Sequence, residues 1–447
     1  MKILHYSLGF PPYRAGGLTK YVTDLMENQV TKGHIVTLLW PGRIRLIDRK
    51  IKIKKNRSYL NIDSYEIINP LPVPLLDGID NEKLYTFTAN IEVYEKFLEE
   101  NNPDIIHVHT LMGIHKEFFL AAQKKGIKII YTSHDYFGLC CKTSLLFKGK
   151  RCNNNLNCNN CVNNALSLKK IYILQSKLYR NYKDNFLIRK IRSKNKRVKQ
   201  NSEEYKEKII INNCNYEKLY KFYSEIFGLI DMYHFNSNNA KNIYSNFIEL
   251  SEENYKVLSL THKNITDNRA KIQFCDDVLR ISYLGSTDSS KGFRLLTDII
   301  EDLVSSNYKL ELNVYGGERA LEHNNINYHG KYEYKDLKNI FMKTDLLVVP
   351  SLNDTFGFVT LEGLSFGVPI IVTDEVGSKD LLINNKTGFV VNTSYTALKE
   401  KISECYKNRE ILRRINRNIL ENNDLVFDLN IHEKHIFEIY EQIRSKK

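Results

Sequence analysis

Residues Leu347–Val372, LVVPSLNDTFGFVTLEGLSFGVPIIV, form the most informative stretch of the chain. An apolar run typical of a buried strand ends at Pro350, and a short polar loop then carries Asp354. The pattern predicts a helix over Phe356–Phe366, and Gly357 at its start lets the backbone approach a ligand closely. The stretch therefore predicts one strand–loop–helix unit of an α/β sheet, in which ligands bind beyond the carboxyl ends of the strands.

The start of this predicted helix has the features of an anion site. The amides of Gly357, Phe358 and Val359 have no partners within the helix, and the helix dipole there favours negative charge. Asp354 and Glu362 are poor partners for phosphate, but each can accept hydrogen bonds from sugar hydroxyls. Together these groups indicate a phosphorylated sugar compound. A plain helix with a solvated Glu362 explains the same residues when they are taken alone.

Two other loops also lie between a predicted strand and a predicted helix. In ISYLGSTDSSKGF, Ile281–Phe293, the side chain of Lys291 could meet a diphosphate as a point charge. In FPPYRAGGLTKYV, Gly16 and Gly17 open a helix after the first strand, where the backbone can approach phosphate. A solvated lysine and an ordinary turn are the alternative interpretations.

Strand-length apolar runs alternate with amphipathic segments, which predicts parallel, doubly wound α/β sheets. A chain of 447 residues is too long for one ordinary core and indicates two domains. We expect a Rossmann-like domain at residues 1–255, a second at 256–424, and a helix at 425–447 that packs back on the first domain. The strands predicted in the second domain are Arg280–Leu284, Lys309–Tyr315, Ile326–Tyr328, Leu346–Val349, Pro369–Val372 and Phe389–Val391.

The composition, 42% hydrophobic and 26% charged, is that of a globular protein. No run approaches the roughly 18 apolar residues of a membrane-spanning helix. The N-terminal residues MKILHYSLGFPPY lack the apolar region and the cleavage site of a signal peptide. We therefore expect a cytoplasmic protein.

Positive charge is concentrated in one segment of the chain. Twelve Lys or Arg residues and one Asp lie between Lys169 and Lys199, a local charge of +11 within a total of +13. Ser167–Tyr223 is predicted to be a basic helical segment. Because apolar residues recur at helical spacing in Ser167–Lys199, that part is predicted to be an amphipathic helix on an anionic membrane surface. A solvated helix on the first domain is the alternative. The segment contains no nucleic-acid-binding module, so no nucleic-acid partner is expected.

The stretch around Asp354 and Glu362 resembles the signature of the family 4 retaining glycosyltransferases, in which two acidic residues are separated by seven others. The downstream residues GSKDLLINNKTGFVV, from Gly377, also resemble that family. The resemblance implies the GT-B fold, two Rossmann-like doubly wound domains that face each other across a cleft. The acceptor would bind the first domain and the nucleotide sugar the second. No sequence feature demands Mg²⁺, and the resemblance implies no catalytic cofactor.

Roles for individual residues follow from the same resemblance. Glu362 would hold the donor ribose, Asp354 would contact the donor sugar, and the amides of Phe358 and Val359 would bind the distal phosphate. The catalytic residues implied are His134, Lys291 and Asp354. The implied donor-binding residues are Gly16, Gly17, Ser286, Lys291, Phe356, Gly357, Phe358, Val359 and Glu362.

Two histidines follow neighbouring predicted strands. His134, in YTSHDYF, stands where the family has a histidine close to the donor sugar and its phosphates. His109, in HVHT, is the second candidate. A purely structural role is the alternative for both side chains.

Five of the eight cysteines lie in an irregular, Asn-rich loop, Cys140–Cys161. In a chain without an export signal they indicate a metal or reduced thiols rather than disulfides. A subset of the family has a similar segment whose first cysteine matches Cys140. We therefore predict a structural zinc on Cys140, Cys152, Cys158 and Cys161, with free thiols as the alternative.

Two positions depart from the family pattern. The family usually has Glu at Asp354, and it has Arg where this chain has Ser286, so the site loses reach and one positive charge. These departures motivate an alternative function, a degenerate subunit that binds a sugar nucleotide without turnover. Another GT-B enzyme, a sugar-nucleotide epimerase or a phosphorylase, is the further alternative.

The main prediction is a retaining glycosyltransferase of the hexosyltransferase type (EC 2.4). Its donor would be a UDP- or GDP-sugar. Its acceptor would be a lipid-linked or surface glycan of capsule, lipopolysaccharide or other polysaccharide biosynthesis. The protein would work in the cytoplasm, peripherally on the inner face of the cytoplasmic membrane.

Overall fold

The structure is a computed structural model that describes residues 1–45, 47–74, 78–152, 158–162, 165–182, 185, 214–317, 324–425 and 427–445. The strands are β1 Lys2–Tyr6, β2 Ile35–Pro41, β3 Lys52–Tyr59, β4 Ile62–Ile68, β5 Ile105–Val108, β6 Ile129–Ser133, β7 Leu146–Phe147, β8 Lys150–Arg151, β9 Met232–Phe235, β10 Tyr255–Val257, β11 Leu279–Leu284, β12 Leu310–Tyr315, β13 Ile326–Gly330, β14 Leu346–Val349, β15 Ile370–Thr373 and β16 Phe389–Val391. The α-helices are α1 Gly17–Thr31, α2 Glu82–Tyr85, α3 Ile91–Asn101, α4 Lys116–Lys124, α5 Cys158–Cys161, α6 Leu168–Leu174, α7 Lys177–Tyr182, α8 Tyr216–Phe227, α9 Asn238–Tyr244, α10 Phe293–Ser305, α11 Leu337–Phe341, α12 Phe358–Leu364, α13 Tyr395–Lys407, α14 Arg409–Glu421 and α15 Leu429–Ser445.

Two large sheets form the framework of the molecule. The first has the strand order β10-β9-β6-β5-β1-β2-β4-β3, and the second has the order β13-β12-β11-β14-β15-β16. Neighbouring strands are parallel, except that β3 runs antiparallel to β4 at one edge. The predicted α/β class with two Rossmann-like, mainly parallel sheets is confirmed.

The edge hairpin β3–β4 was not predicted from the sequence. Strand β3, KIKKNRSY, is largely exposed and rich in Lys and Arg, so it has no apolar run of the kind that marks a buried strand. Charged side chains on an edge strand hinder pairing with another chain. The hairpin therefore ends the first sheet with a polar edge.

Helix α15 packs against the first sheet, although it follows the second sheet in the chain. Its apolar residues form one cluster with residues of four strands: Ile3, Ile105, Ile130, Met232, Ile436, Ile439, Tyr440 and Ile443. Burial of each such aliphatic side chain contributes about 1.5–3 kcal/mol. The helix thereby covers a layer of polar side chains on the face of that sheet.

Two predicted helices are shorter in the structure. The helix predicted from Phe356 begins at Phe358, because Gly357 has a φ of +87°, outside the helical region, and the Phe356 carbonyl accepts a hydrogen bond from the Ser378 amide at 2.7 Å. The basic helix predicted over 167–223 is present as α6, α7 and α8. Residues 183–184 and 186–213 of that prediction lie outside the described residues.

Over the described ranges, the helices fall short of the length and apolar character that crossing a bilayer requires.

Candidate donor-binding site

An ion pair joins two loops at the carboxyl ends of neighbouring strands of the second sheet. Lys291, after β11, binds a carboxylate oxygen of Asp354, after β14. The Lys291 side chain remains 39% exposed, whereas that of Asp354 is 16% exposed. The ammonium group therefore keeps donors free for a ligand while the carboxylate positions it.

Ser286 is engaged within its own loop. Its hydroxyl donates to Asp288 at 2.7 Å, and its carbonyl accepts from the Tyr283 hydroxyl at 2.5 Å. These contacts shape the loop that carries Lys291. Ser286 brings no positive charge to the site, in keeping with the departure seen in the sequence.

Glu362 is a buried carboxylate on α12. Its side chain is 4% exposed, and its Oε1 lies 3.8 Å from Nε2 of His262. Its Oε2 has no hydrogen-bond partner among the described residues, and neither has His262 Nε2. Burial, and to a smaller extent the charge of the Glu362 carboxylate, raises the pKa of the neighbouring Tyr332 and Tyr334. A buried, unsatisfied carboxylate oxygen is costly, so a ligand that donates hydrogen bonds to it recovers that cost.

The first domain contributes its glycine loop to the same place. Gly16 has a φ of +120° and caps α1. A Cβ atom added to Gly17 would lie 3.2 Å from the Phe358 ring, at the start of α12. A side chain at position 17 would therefore press against the Phe358 ring, so glycine suits the close approach of the two domains there.

One predicted donor-binding residue has a different role in the structure. The Phe356 side chain is 3% exposed and lies in the core, and its amide points at Asp354 Oδ1 at 3.4 Å. Because its carbonyl is also bonded, to the Ser378 amide, Phe356 shapes the loop instead of presenting groups to a ligand. The amides of Phe358 and Val359 lie in the first turn of α12, where intrahelical acceptors are lacking.

His134 follows β6 and reaches the same cleft. Thr355, the neighbour of Asp354, donates its hydroxyl to the His134 carbonyl at 2.9 Å. Nε2 of His134 lies 3.3 Å from Nδ1 of His109, which is fully buried. Burial lowers the pKa of His134 to about 3, so the imidazole is neutral near pH 7. The structure thus brings His134 beside the loop that carries Asp354. His109 contacts His134 and lies deeper in the first domain.

Three buried histidines have ring nitrogens that lie within 4.8 Å of one another, namely His5, His107 and His109. This is the one group of metal-ligand side chains with such geometry in the described part of the chain. Each ring nitrogen of these histidines already has a hydrogen-bonding partner. A metal ion there would have to displace those hydrogen bonds.

The cysteine loop is partly ordered by its own contacts. Cys140, Cys141 and Cys158 are buried, and a hydrogen bond with Cys141 lowers the pKa of the Cys158 thiol below its ordinary value. Cys161 lies in contact with the Leu146 carbonyl at 3.5 Å. Within the described residues, no three cysteine sulfurs lie within 4.8 Å of one another. The arrangement as it stands does not fit a preformed tetrahedral zinc site.

His262 was not recognised from the sequence. It lies near the start of the second domain, where no motif marks it, and its ring contacts Phe358 and Tyr334 with centroids 5.1 and 4.8 Å apart. Only the folded chain brings it to Glu362.

Two family models match the chain. Residues 264–421 match the family described as "Glycosyl transferases group 1", and residues 15–160 match "Glycosyltransferase Family 4". The first range contains Lys291, Asp354 and Glu362, and the second contains the glycine loop and His134. The matches thus cover both sides of the cleft.

Curated relatives match parts of the chain. An uncharacterised 41.2 kDa protein in the cps region of Klebsiella pneumoniae is 28% identical over 26% of this chain. The capsular polysaccharide biosynthesis glycosyltransferase CapM of Staphylococcus aureus is 26% identical over 48% of this chain. The chain spans 33% and 54% of the lengths of these two relatives.

Solved structures resemble the whole chain in fold. Sucrose-phosphate synthase from Thermosynechococcus elongatus has a TM-score of 0.61 at 13% identity, and the match covers 100% of both chains. Anabaena HepE, in complex with UDP and glucose, has a TM-score of 0.57 at 12% identity, covering 99% of both chains. At these identities the likeness shows the fold alone.

Proposed function

We propose that this chain, which belongs to the family 4-type glycosyltransferases of GT-B fold, transfers a sugar from a nucleoside-diphosphate sugar to a glycan acceptor with retention of configuration. The observation that carries the proposal is the buried, unsatisfied carboxylate of Glu362 in the cleft that also holds the Lys291–Asp354 ion pair. Vicinal hydroxyls of a ribose supply the donors that Glu362 lacks. A diphosphate supplies the negative charge that Lys291 attracts.

In the proposed transfer reaction, negative charge develops on the phosphate that leaves the sugar. The bond between the anomeric carbon and the distal phosphate oxygen breaks, and both electrons leave with the phosphate. Lys291 and the amides of Phe358 and Val359 stabilise that charge, as preorganised donors do for other developing anions. The acceptor hydroxyl forms the new bond on the face from which phosphate departs, and its proton passes to the departing phosphate. The anomeric carbon acquires oxocarbenium character in between.

The relatives support a chemical class for the donor and for the acceptor. HepE binds UDP and glucose, which supports a UDP-hexose donor here and hence hexosyl transfer; a GDP-sugar is the second possibility. CapM acts in capsular polysaccharide biosynthesis, which supports a lipid-linked or surface glycan as the acceptor. The domain assignment proposed is an acceptor side at 1–255, a donor side at 256–424 and the closing helix at 425–447.

A subunit that binds a sugar nucleotide without turnover is the second candidate. Ser286 motivates it, because this residue directs its hydroxyl to Asp288 and adds no charge to the diphosphate site. Such a subunit would bind the donor as tightly as an enzyme does but would release no nucleoside diphosphate.

Glu362→Gln is expected to raise KM for the donor about 10- to 100-fold, with kcat changed much less. The glutamine keeps one acceptor oxygen but loses the charge that strengthens hydrogen bonds from ribose. Steady-state release of nucleoside diphosphate at varied donor concentration measures both constants. The same variant should melt at the wild-type temperature or higher without donor, because it removes a buried charge that lacks hydrogen-bond partners.

A wild-type KM in a well-folded Glu362→Gln protein would remove Glu362 from the donor site. Glu433→Gln is the matched control, because Glu433 is also buried and pairs with Lys32, on the first domain. This control should leave the donor KM unchanged.

The described part of the basic segment has two faces. Arg180 lies over the rings of Tyr13 and Trp40, at 4.4 and 4.7 Å from their centroids, and pairs with Glu66 at 3.2 Å. Gln175 accepts from the Val73 amide at 3.1 Å. Part of the face predicted to meet lipid is therefore docked on the first domain instead.

The opposite face supports peripheral membrane association. Ile173, Leu178 and Tyr182 are 60%, 73% and 57% exposed. Lys169 and Lys170 are exposed beside them. We propose that these apolar side chains enter the interface of an anionic membrane while the lysines meet its headgroups.

Leu178→Ser is expected to weaken binding to anionic vesicles roughly 10-fold, because one buried leucine contributes about 1.5–3 kcal/mol. Flotation with phosphatidylglycerol vesicles at low salt measures the bound fraction. Met342→Ser, which alters a residue 63% exposed on the second domain, is the control and should bind as the wild type does. No flotation of the wild-type protein would contradict membrane association.

The structural zinc remains a prediction. The set Cys140, Cys152, Cys158 and Cys161 would bind it only if the loop rearranged, because the sulfurs do not converge as they stand.

A further inference from the structure

A layer of buried histidines fills the space between the first sheet and helices α1 and α15. One end of the layer is anchored by a main-chain group. His234 on β9 places Nε2 2.7 Å from the Leu258 carbonyl, which can only accept a hydrogen bond. Burial lowers the pKa of His234 to about 4, so its ring is neutral and carries one N–H. That N–H is therefore on Nε2, and Nδ1 of His234 can only accept.

The direction of the next bonds follows from this anchor. The Thr132 hydroxyl lies 2.9 Å from Nδ1 of His234, so it must donate there. Thr132 then accepts from Nε2 of His107, which is 2.6 Å away. Burial holds the pKa of His107 well below its ordinary value, so this ring is also neutral and its Nδ1 has no proton.

Helices α15 and α1 carry the chain onward. The Tyr440 hydroxyl lies 2.7 Å from Nδ1 of His107 and must donate to it. Tyr440 therefore accepts from the amide nitrogen of Gln29, at 3.3 Å, which turns the Gln29 oxygen towards His5. Nε2 of His5 lies 2.8 Å from that oxygen and must be the protonated nitrogen.

The last two bonds end at the donor site. Nδ1 of His5 accepts from Nε2 of His109 at 3.0 Å, because burial also keeps His5 neutral, with a pKa of about 4. Nδ1 of His109 in turn accepts from Nε2 of His134 at 3.3 Å. Each link thus has a single allowed direction, from His134 back to the Leu258 carbonyl.

We propose that Thr132, Tyr440 and Gln29 are positioning residues that set the tautomer of His134, so that its Nδ1 is kept unprotonated for the donor site. A histidine in this form accepts a hydrogen bond from a ligand hydroxyl and offers phosphate no N–H from Nδ1. This inference rests on the proposed function only for its effect on transfer. The tautomer itself is a property of the free protein. The chain also makes helix α15 part of the site, since Tyr440 is one of its links.

Two variants, each of which lacks one tyrosine hydroxyl of the wild type, test the chain of hydrogen bonds. Tyr440→Phe breaks it between His107 and Gln29, whereas Tyr21→Phe removes the hydroxyl that lies 2.8 Å from Nε2 of His432, outside the chain. Both tyrosines are fully buried, Tyr21 on helix α1 and Tyr440 on helix α15. Long-range ¹H–¹⁵N spectra of the histidine rings report which nitrogen carries the proton.

We expect a single Nε2–H form of His134 in the wild type and in Tyr21→Phe, and a mixture of both tautomers in Tyr440→Phe. Transfer by Tyr440→Phe should fall about 2- to 10-fold in kcat, the effect of one hydrogen bond. Wild-type ring spectra in a folded Tyr440→Phe protein, or an Nδ1–H form of His134 in the wild type, would overturn the proposal.

A second pair of variants tests the same chain of hydrogen bonds if Tyr440→Phe does not fold. Thr132→Val removes the link next to the anchor with little change of shape, and Thr132→Ser restores the hydroxyl. Mixed tautomers of His134 in the valine variant and a single form in the serine variant support the chain. Identical spectra for the two variants would contradict it. The spectra need no donor, so their outcome is separate from that of the proposed function.

Discussion

Replacement of Lys291 by alanine is expected to lower kcat for sugar transfer about 100- to 1,000-fold, the effect of removing one preorganised donor to a developing anion. Lys291 is a partly exposed cation that forms an ion pair with Asp354. Because the charge on the distal phosphate grows as the glycosidic bond breaks, its loss affects the transition state more than the bound donor. Single-turnover transfer at saturating donor measures the change.

Lys399→Ala is the matched control for this variant. Lys399 has a similar exposure of 34% and pairs with Asp302, near the end of helix α10 that is remote from the cleft. We expect full activity from it. Equal activity of Lys291→Ala and Lys399→Ala, with both proteins folded, would exclude Lys291 from the chemistry.

The buried histidines predict loss of stability in mild acid. Burial lowers the pKa of His5 and His234 to about 4 and that of His115 to about 3, against 6.5 in the unfolded chain. Below pH 6.5 the unfolded chain therefore binds protons that the folded protein cannot, and stability falls until the pH approaches the folded values. At pH 5 each of these three histidines costs about 2 kcal/mol. Asp135 opposes part of this loss, because burial raises its pKa to about 6.

Three such histidines remove about 6 kcal/mol at pH 5, comparable to the whole stability of many domains. We expect the unfolding free energy from urea titrations to decrease steeply between pH 6.5 and pH 5.

His115→Gln should reduce that decrease by about 2 kcal/mol. His115 is fully buried and pairs with Tyr94 at 2.7 Å, outside the hydrogen-bond chain. Replacing the exposed His435 by glutamine is the control and should leave the decrease unchanged. A stability that does not vary between pH 7 and pH 5 would contradict the neutral histidine layer.

The architecture was predictable because its signals are local. Strands such as Leu346–Val349 are short apolar runs bounded by polar loops, and the observed strand has the predicted bounds. The gathering of Lys291 and Asp354 was also predictable, since loops at the carboxyl ends of neighbouring parallel strands lie together.

Other features depend on contacts that no local pattern shows. The helix start at Phe358 instead of Phe356 depends on the backbone conformation of Gly357 and on a bond to Ser378. The pairing of Glu362 with His262 joins two residues of the second domain that are far apart in the chain. The histidine layer links residues as distant in the chain as His107 and Tyr440, so only the folded structure gives the direction of its hydrogen bonds.

A thermal-shift screen against a panel of nucleoside-diphosphate sugars shows whether the site around Glu362 binds such a donor. Selective binding stabilises the folded protein by about 2.7 kcal/mol at a ligand concentration of 100 times Kd. We predict a raised melting temperature with one nucleotide class, UDP-sugars first, and loss of that shift in Glu362→Ala. The absence of a shift with every donor, or an equal shift in Glu362→Ala, would contradict the account.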